Sequence, residues 1–202
     1  MTRGLPRGMA TAMLMLLLAT STVDATPRVH DGARFSAAHE VAARRLAFRA
    51  AATYVYGLVV KVYVAGLYIE EGRRPAEALD DGVARRLEIE YLRAIDRDVL
   101  VRAAGAVLER NLTASEILEL DARIARVNAL YRDVRPGDRY ALTYVPGEGT
   151  ALSLNGETLG VVEGADFARA YFAIWLGPRP LSEDLRDRLL SGESVVEGQG
   201  PS

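Results

Sequence analysis

The amino-acid sequence predicts an α+β fold in which helices pack on one antiparallel sheet. Three features predict it: a long β-branched and aromatic stretch at 54–70, two consecutive amphipathic helical patterns between residues 96 and 131, and a run of short strands with turn residues at 139–162. Strands placed before and after a pair of helices are typical of a sheet covered by helices, rather than of alternating βαβ units.

The composition narrows the classes of function. Half of the 202 residues are hydrophobic, which is enough for one domain with a substantial core. The formal net charge of −2 gives no electrostatic case for a nucleic-acid partner. The chain has no cysteine, which excludes disulfides, thiolate catalysis and cysteine metal sites. His30 and His39 stand in unrelated contexts, so we expect neither a metal site nor a cofactor.

Residues 1–25 have the pattern of a secretory signal peptide. Arg3 and Arg7 form a basic start, an apolar segment follows at 9–20, and small side chains lead up to Ala25. The apolar segment is short for a membrane span of about 20 residues, although an uncleaved anchor helix is the alternative. We therefore expect cleavage after Ala25, secretion to the periplasm of a Gram-negative cell, and no stable membrane span in the mature chain.

The rest of the chain divides into three segments. Residues 26–45 are polar and irregular in pattern and are expected to form an N-terminal lead, with a short edge strand near 41–49. Residues 46–191 are expected to form the single folded domain. Residues 192–202 are polar, which predicts a disordered tail.

The stretch at 54–70 is the most informative part of the sequence. Val, Tyr and Ile dominate it, Gly57 and Gly66 interrupt it, and Lys61 near its middle would be costly in a bilayer. We interpret it as one long or bent strand, or two short strands, in the middle of a sheet. Regular alternation puts Lys61 and Tyr63 on the same face, where they could line a ligand cleft.

The remaining strands follow from alternation and turn residues. The segment 85–92 alternates apolar with charged side chains, which predicts a half-exposed strand. A further strand is predicted at 139–145. The pair Asn155-Gly156 predicts a tight hairpin between strands at 150–154 and 157–162.

The helices are indicated by their caps. Pro75 suits the first turn of a short helix through residue 79, and Asp96 is expected to cap a helix that runs to about residue 110. Residues 113–116 form a capping box for a second long helix. A helix is predicted at 166–175, and Ser182 is expected to cap the last one.

Short segments distributed through most of the chain carry a family resemblance. They are KVYVAGLYI at 61–69, the helix end at Asn111, RPGD at 135–138, YVPG at 144–147, LNG at 154–156, FAIWLG at 172–177 and LS at 181–182. In this order and spacing, over about residues 46–190, they resemble the chalcone isomerase-like superfamily, and its bacterial secreted branch in particular.

The resemblance implies an open-faced β-sandwich, in which a layer of helices covers a large antiparallel sheet and a ligand cleft lies between them. In plant enzymes of this superfamily, a phenolate adds across a conjugated enone and turns a chalcone into a flavanone. Related plastid members bind fatty acids without known catalysis.

The family's catalytic residues are only partly matched. Val55 stands where bacterial relatives often have an arginine, six residues before the lysine, and Tyr63 stands at the position of a threonine. Asn111 fits the family's asparagine, but Ala104 occupies the position of the tyrosine seven residues earlier. A chain that lacks the cation and this tyrosine is poorly equipped for chalcone cyclisation.

Four residues are therefore candidates for a ligand site: Lys61, Tyr63, Asn111 and Arg49. Each has an alternative role: Lys61 as a solvated or ion-paired surface group, Tyr63 as a core tyrosine, Asn111 as a helix C-cap and Arg49 as a surface arginine. Of these four, only Tyr63 and Asn111 stand at family-like catalytic positions.

The first functional hypothesis is a non-catalytic binder of a small amphipathic or apolar ligand, such as a fatty acid. An intramolecular lyase or isomerase of the chalcone isomerase type is the first alternative. A periplasmic interaction or scaffold protein, with its cleft closed by Tyr63 and Tyr56, is the second.

Overall fold

A computed structural model describes residues 27–192, and the expected signal peptide and all but the first residue of the expected tail lie outside that range. Its nine strands are β1 Arg28–His30, β2 Ala33–Phe35, β3 Ala38–Val41, β4 Arg44–Tyr56, β5 Val60–Glu70, β6 Arg85–Tyr91, β7 Arg139–Val145, β8 Gly149–Leu154 and β9 Glu157–Val162. Its α-helices are α1 Arg97–Asn111, α2 Ala114–Leu130, α3 Ala165–Leu176 and α4 Glu183–Ser191, and a 3-10 turn spans Pro75–Glu77.

Strands β3 to β9 form one antiparallel sheet in which each strand pairs with the next along the chain. Helices α1, α2 and α3 cover one face, and α4 packs along β4. This is the α+β open-faced sandwich that the sequence predicts. No helix among residues 27–192 is long and apolar enough to cross a membrane.

The predicted turn and cap residues act as expected in the second half of the chain. Asn155 and Gly156 have φ of 51° and 87°, the left-handed pair that a tight hairpin needs. Thr113 and Glu116 form the reciprocal capping box of α2. Ser182 accepts a hydrogen bond from the Leu185 amide at the start of α4. Asp96 precedes α1 but makes no side-chain cap.

The stretch at 54–70 is divided between two strands. Strand β4 ends at Tyr56, the chain turns at Gly57 with φ of 63°, and β5 begins at Val60. The first strand starts earlier than the apolar pattern indicates, because the alanines between residues 50 and 52 are buried within the sheet. Alanine is a weak strand former, so its place here depends on burial rather than on propensity.

The N-terminal segment is ordered, where the sequence predicts an irregular lead. Strands β1 and β2 form a hairpin, and Phe35 at its end is fully buried. The Phe35 ring lies directly on β5 at Gly66, where a Cβ atom would come within 2.5 Å of the ring. The hairpin therefore covers the face of the sheet opposite the helices.

This covering explains a second difference from the sequence prediction. Strand β6 was expected to be half exposed, yet Glu88 on its outer face is only 3% exposed. Its carboxylate lies 2.9 Å from Arg86 Nε, 2.9 Å from Arg139 Nη1 and 2.9 Å from His39 Nε2. We call these four residues the ionic cluster. The Glu88 carboxylate is buried because the β1–β2 hairpin lies over this part of the sheet and His39 of the edge strand β3 contacts it, which local alternation does not reveal.

Candidate functional site

A cleft of about 560 Å³ opens between the sheet and helix α1 at one end of the molecule. The side chains around it come from the ends of β4, β5 and β6, from α1 and the segment before it, and from the loop before α4. They are Tyr54, Tyr56, Val62, Tyr63, Tyr91, Ala94, Ile95, Asp96, Val99, Leu100, Ala103 and Leu181.

The floor of the cleft is a row of tyrosines on three adjacent strands. Tyr63 pairs in register with Tyr54 on one side and with Tyr91 on the other. Their ring centroids lie 5.0 Å and 5.9 Å apart, in stacked and edge-to-face arrangements. Directly opposed residues point to the same face of a sheet, so the register alone aligns the three rings.

A β-bulge in β5 determines which side chains reach this floor. Tyr63 pairs with Tyr54 and Lys61 pairs with Val55, so Val62 between them has no partner. A bulge interrupts the alternation of side chains. Val62 and Tyr63 both line the cleft as a result, and Lys61 does not.

Lys61 instead belongs to a separate, shallow cavity of about 290 Å³. Its Nζ donates to Asp31 Oδ1 at 2.7 Å, and the Thr53 hydroxyl donates to the other carboxylate oxygen. Hydrogen bonds from Lys61 and Thr53 lower the pKa of Asp31 below its ordinary value. The expectation that Lys61 and Tyr63 share one face is wrong, because regular alternation stops at the bulge.

The roof of the cleft is the first half of α1. Asp96, Val99, Leu100 and Ala103 recur at the spacing of one helix face. Ala103 is small, and space remains between this helix and the tyrosine floor. The sequence pattern predicts the stripe through Val99 and Ala103, but not that a gap would remain beneath it.

A smaller cavity of about 50 Å³ continues inward from the cleft, and we call it the deep cavity. It shares five lining residues with the cleft, among them Tyr63, Tyr91 and Ala103, and adds Tyr131 and Trp175. The remaining side chains around it are Leu100, Ala104, Ile174 and Leu181. Ala104 is the position that the family resemblance aligns with a catalytic tyrosine.

Two polar groups at the deep cavity are buried without a hydrogen-bond partner. They are the Tyr63 hydroxyl and the Trp175 indole N–H, on residues that are 5% and 8% exposed. Burial raises the pKa of Tyr63 far above its ordinary value, and a long N–H···O contact from Trp175, outside normal hydrogen-bond geometry, only partly opposes this. By contrast, the Tyr131 and Tyr171 hydroxyls bond to each other at 3.1 Å.

Asn111 and Arg49 lie elsewhere. Asn111 Nδ2 donates to the carbonyls of Val107 and Arg179 at 2.9 and 2.7 Å, and its Oδ1 accepts from the Arg179 amide at 3.1 Å. These bonds link the loop after α3 to the end of α1, beside a different cavity of about 360 Å³ with both polar and apolar walls. Arg49 lies at another bulge, this one in β4, and donates a long hydrogen bond to the Glu70 carbonyl at 3.5 Å.

The four candidate residues are thus not brought together, and of them Tyr63 alone lines the cleft. Sequence reasoning missed Tyr91 as a site residue and treated Trp175 as packing. The available signal was a tyrosine near the end of each of the strands at 54–70 and 85–92, but only the strand register shows that they meet.

The cleft carries little charge. Among residues 27–192, no lysine, arginine or histidine lines the cleft or the deep cavity, and Asp96 at the mouth is the single carboxylate. Val55, at the position of the missing family arginine, does not line either cavity. The same part of the chain also contains no cluster of His, Cys, Asp or Glu side chains that could hold a metal ion.

The mouth of the cleft adjoins an exposed apolar turn between β4 and β5. Tyr56, which lines the cleft, is 69% exposed, and Leu58 and Val59 are 97% and 83% exposed. We call residues 55–59 the hairpin tip. Its apolar side chains extend the cleft surface outward into solvent.

An open-faced sandwich with an internal apolar cleft defines a class of protein built to enclose a small molecule. The chain belongs to the chalcone isomerase-like family, whose model matches residues 28–191. A structure similar to it is the crystal structure of a fatty-acid binding protein of Arabidopsis thaliana, with a TM-score of 0.62 and 17% identity, over 82% of this chain and 96% of that one. No curated protein matches the sequence.

Proposed function

We propose that this protein is a non-catalytic binder of a small amphipathic or apolar ligand, such as a fatty acid, and that the ligand occupies the cleft beneath α1. One observation carries the proposal: a preformed apolar cleft of about 560 Å³ with an open mouth. Sites for small molecules commonly have volumes of about 300–1,000 Å³ and mostly apolar walls with a few polar groups.

The chemistry of the walls supports binding rather than turnover. Tyr63 is held as a neutral phenol by burial, so it is poorly suited to exchange protons near neutral pH. A phenolate nucleophile would meet no cation on the described walls. The fatty-acid binding protein of similar fold is consistent with a binding function for this cleft.

The scaffold alternative depends on a cleft closed by Tyr63 and Tyr56. Both residues line an open cleft, so this premise fails. No feature of the described walls favours the lyase or isomerase alternative.

The cellular setting is part of the proposal. The basic, apolar and small-residue pattern of residues 1–25 supports secretion with cleavage after Ala25, as in the bacterial secreted branch of the family. A periplasmic binder would carry its apolar ligand through water, and the apolar walls of the cleft would shield part of the ligand from it.

A substitution that fills the cleft tests the site. Ala103→Phe places a ring in the space between α1 and the tyrosine floor, and we expect binding of the alkyl ketone tridecan-2-one to weaken at least about tenfold. Ala106→Phe is the matched control, because Ala106 is exposed on the same helix and lines neither cavity. Binding is measured by native mass spectrometry and by the ligand-induced rise in melting temperature.

Equal binding by both variants would reject this cleft as the site. If neither variant binds the ligand, and the wild-type protein also shows no ligand-induced stabilisation, the binding function is rejected. Circular dichroism establishes that both variants are folded, and Ala103→Leu serves if the phenylalanine is not tolerated.

A further inference from the structure

The two unpartnered polar groups at the deep cavity require an explanation. A buried hydroxyl or indole N–H without a partner loses its hydrogen bonds to water and gains none in return, which destabilises the fold. The Trp175 N–H can only donate, and the Tyr63 hydroxyl can donate or accept. Both border the same cavity, and the only contact between them is a long one from the Trp175 N–H to the Tyr63 oxygen, which leaves the Tyr63 O–H without an acceptor.

Other buried groups without partners do not share this setting. Arg85 Nε and Nη2 are unpaired, but its guanidinium lies 4.4 Å and 4.7 Å from the ring centroids of Tyr144 and Phe172. The Tyr68 hydroxyl lies on the opposite face of the sheet. Neither Arg85 nor Tyr68 lines the cleft or the deep cavity. Tyr63 and Trp175 differ from these groups because both line the deep cavity, which adjoins the cleft.

The walls of the deep cavity favour a ligand head group without charge. A carboxylate that enters this end loses its hydration and meets no cation on the described walls. Asp96 at the mouth repels an anion further. A neutral oxygen with two lone pairs, as in a carbonyl group, could accept from both donors without this penalty.

We propose that the ligand is an amphiphile with an uncharged oxygen acceptor, which enters the deep cavity head first and accepts hydrogen bonds from Tyr63 Oη and Trp175 Nε1. The alkyl part then lies along the tyrosine floor toward Tyr56 and Val99 at the mouth. Ketones, esters, alcohols and protonated fatty acids belong to this class, and ionised fatty acids do not. This inference rests on the proposed function, since it specifies the ligand class of the same cleft.

Two isosteric probes separate the neutral from the charged head. Tridecan-2-one and dodecanoate have the same chain and carbonyl, and they differ in a methyl group against a carboxylate oxygen. Tridecane supplies the chain without a head. Each probe is delivered to the delipidated full chain from cyclodextrin at pH 8, and its dissociation constant is measured by calorimetry.

We expect the ketone to bind at least about tenfold more tightly than dodecanoate and several-fold more tightly than tridecane. Tyr63→Phe and Trp175→Phe should each weaken ketone binding roughly two- to tenfold and leave tridecane binding unchanged. Tyr140→Phe is the control, because that hydroxyl already bonds to Arg132 and lines neither cavity.

The outcomes separate this inference from the function on which it rests. Dodecanoate that binds as tightly as the ketone would overturn the neutral-head inference and leave the binder intact. Ketone affinity that is unchanged in both variants would overturn the assignment to Tyr63 and Trp175. If none of the three probes binds, tridecane included, the proposed function and the inference fail together.

Discussion

The absence of a side chain at Gly66 allows the β1–β2 hairpin to pack on the outer face of the sheet. The Phe35 ring occupies the position where any other residue at 66 would place its Cβ. Phe35 is fully buried and stacks on Phe48 at 5.7 Å, so it has little room to move away. The glycine lets the N-terminal hairpin lie flat on the centre of the sheet.

Gly66→Ala should therefore lower the free energy of unfolding by about 1–3 kcal/mol, because the new methyl group overpacks this contact. Gly105→Ala is the control, since Gly105 lies within α1 with no atom near its would-be Cβ. That change should stabilise the protein by up to about 1 kcal/mol through helix propensity. Urea denaturation measures both. Equal effects from the two changes would show that Phe35 does not pack on Gly66 in solution.

The ionic cluster makes stability depend on acid pH. Burial alone would raise the pKa of Glu88, but hydrogen bonds from His39 and Arg86 and their charges lower it to about 2. A carboxylate whose pKa is lower in the folded chain than in the unfolded chain stabilises the fold fully at pH values above the unfolded-state pKa. This stabilisation is lost as the pH falls toward 2. The contribution at pH 7 is roughly 3 kcal/mol.

Glu88→Gln should lower the free energy of unfolding by about that amount at pH 7, and the difference from wild type should shrink between about pH 4.5 and pH 2. Glu40→Gln is the control, because Glu40 is 66% exposed and pairs only with Arg45 at the surface. It should change stability by less than about 1 kcal/mol. A Glu88→Gln difference that stays constant down to pH 2 would contradict the account.

At the scale of elements, the β4–β5 hairpin contains two kinds of apolar residue that look alike in the sequence. Leu67 is fully buried in the core, whereas Leu58 at the hairpin tip is 97% exposed. Both belong to one β-branched and aromatic stretch. Their different surroundings follow from the turn at Gly57, which carries the tip beyond the edge of the covering helices.

Leu67→Ala should cost about 2–5 kcal/mol of unfolding free energy, because it leaves a cavity in the core. Leu58→Ala should change it by less than about 0.5 kcal/mol, because the side chain is already in water. Thermal and urea unfolding compare the two variants with wild type. A large loss from Leu58→Ala would mean that the tip is covered in solution.

The later elements were predictable because their signals are local. The strands β7 and β9 match the predicted bounds, and the Asn155-Gly156 hairpin and the Thr113 capping box form as expected. The N-terminal hairpin was not predictable, since its order depends on Phe35 against Gly66 and on Arg139 lying 4.9 Å from the Phe35 ring centroid. Contacts between residues so far apart in sequence produce no periodic pattern of apolar residues from which they could be predicted.

At the scale of the whole molecule, both faces of the sheet are covered, one by the N-terminal strands and the other by the helices. The N-terminal strands seal the outer face over the ionic cluster. On the inner face, α1 stands away from the tyrosine floor at one end of the molecule, and the cleft lies between them. The tyrosine rings of the floor contact one another across adjacent strands, which restricts their side-chain conformations.

The candidate site was only partly predictable at this scale. The resemblance places a cleft between sheet and helices, and Tyr63 lines it. Regular alternation along β5 would place Lys61 on the same wall, but the bulge at Val62 interrupts this alternation. Trp175 reaches the deep cavity from α3, and no spacing in the sequence relates it to Tyr63.

The most direct test of the account uses Trp175, the one tryptophan of the chain. The delipidated protein is titrated with 1-bromododecane while its intrinsic emission is recorded, since bromine quenches a nearby indole. A ligand bound in the cleft should give saturable quenching in wild type and in Ala106→Phe, and little quenching in Ala103→Phe. Emission that stays unchanged in folded wild-type protein, or equal quenching in Ala103→Phe, would contradict a ligand in the cleft.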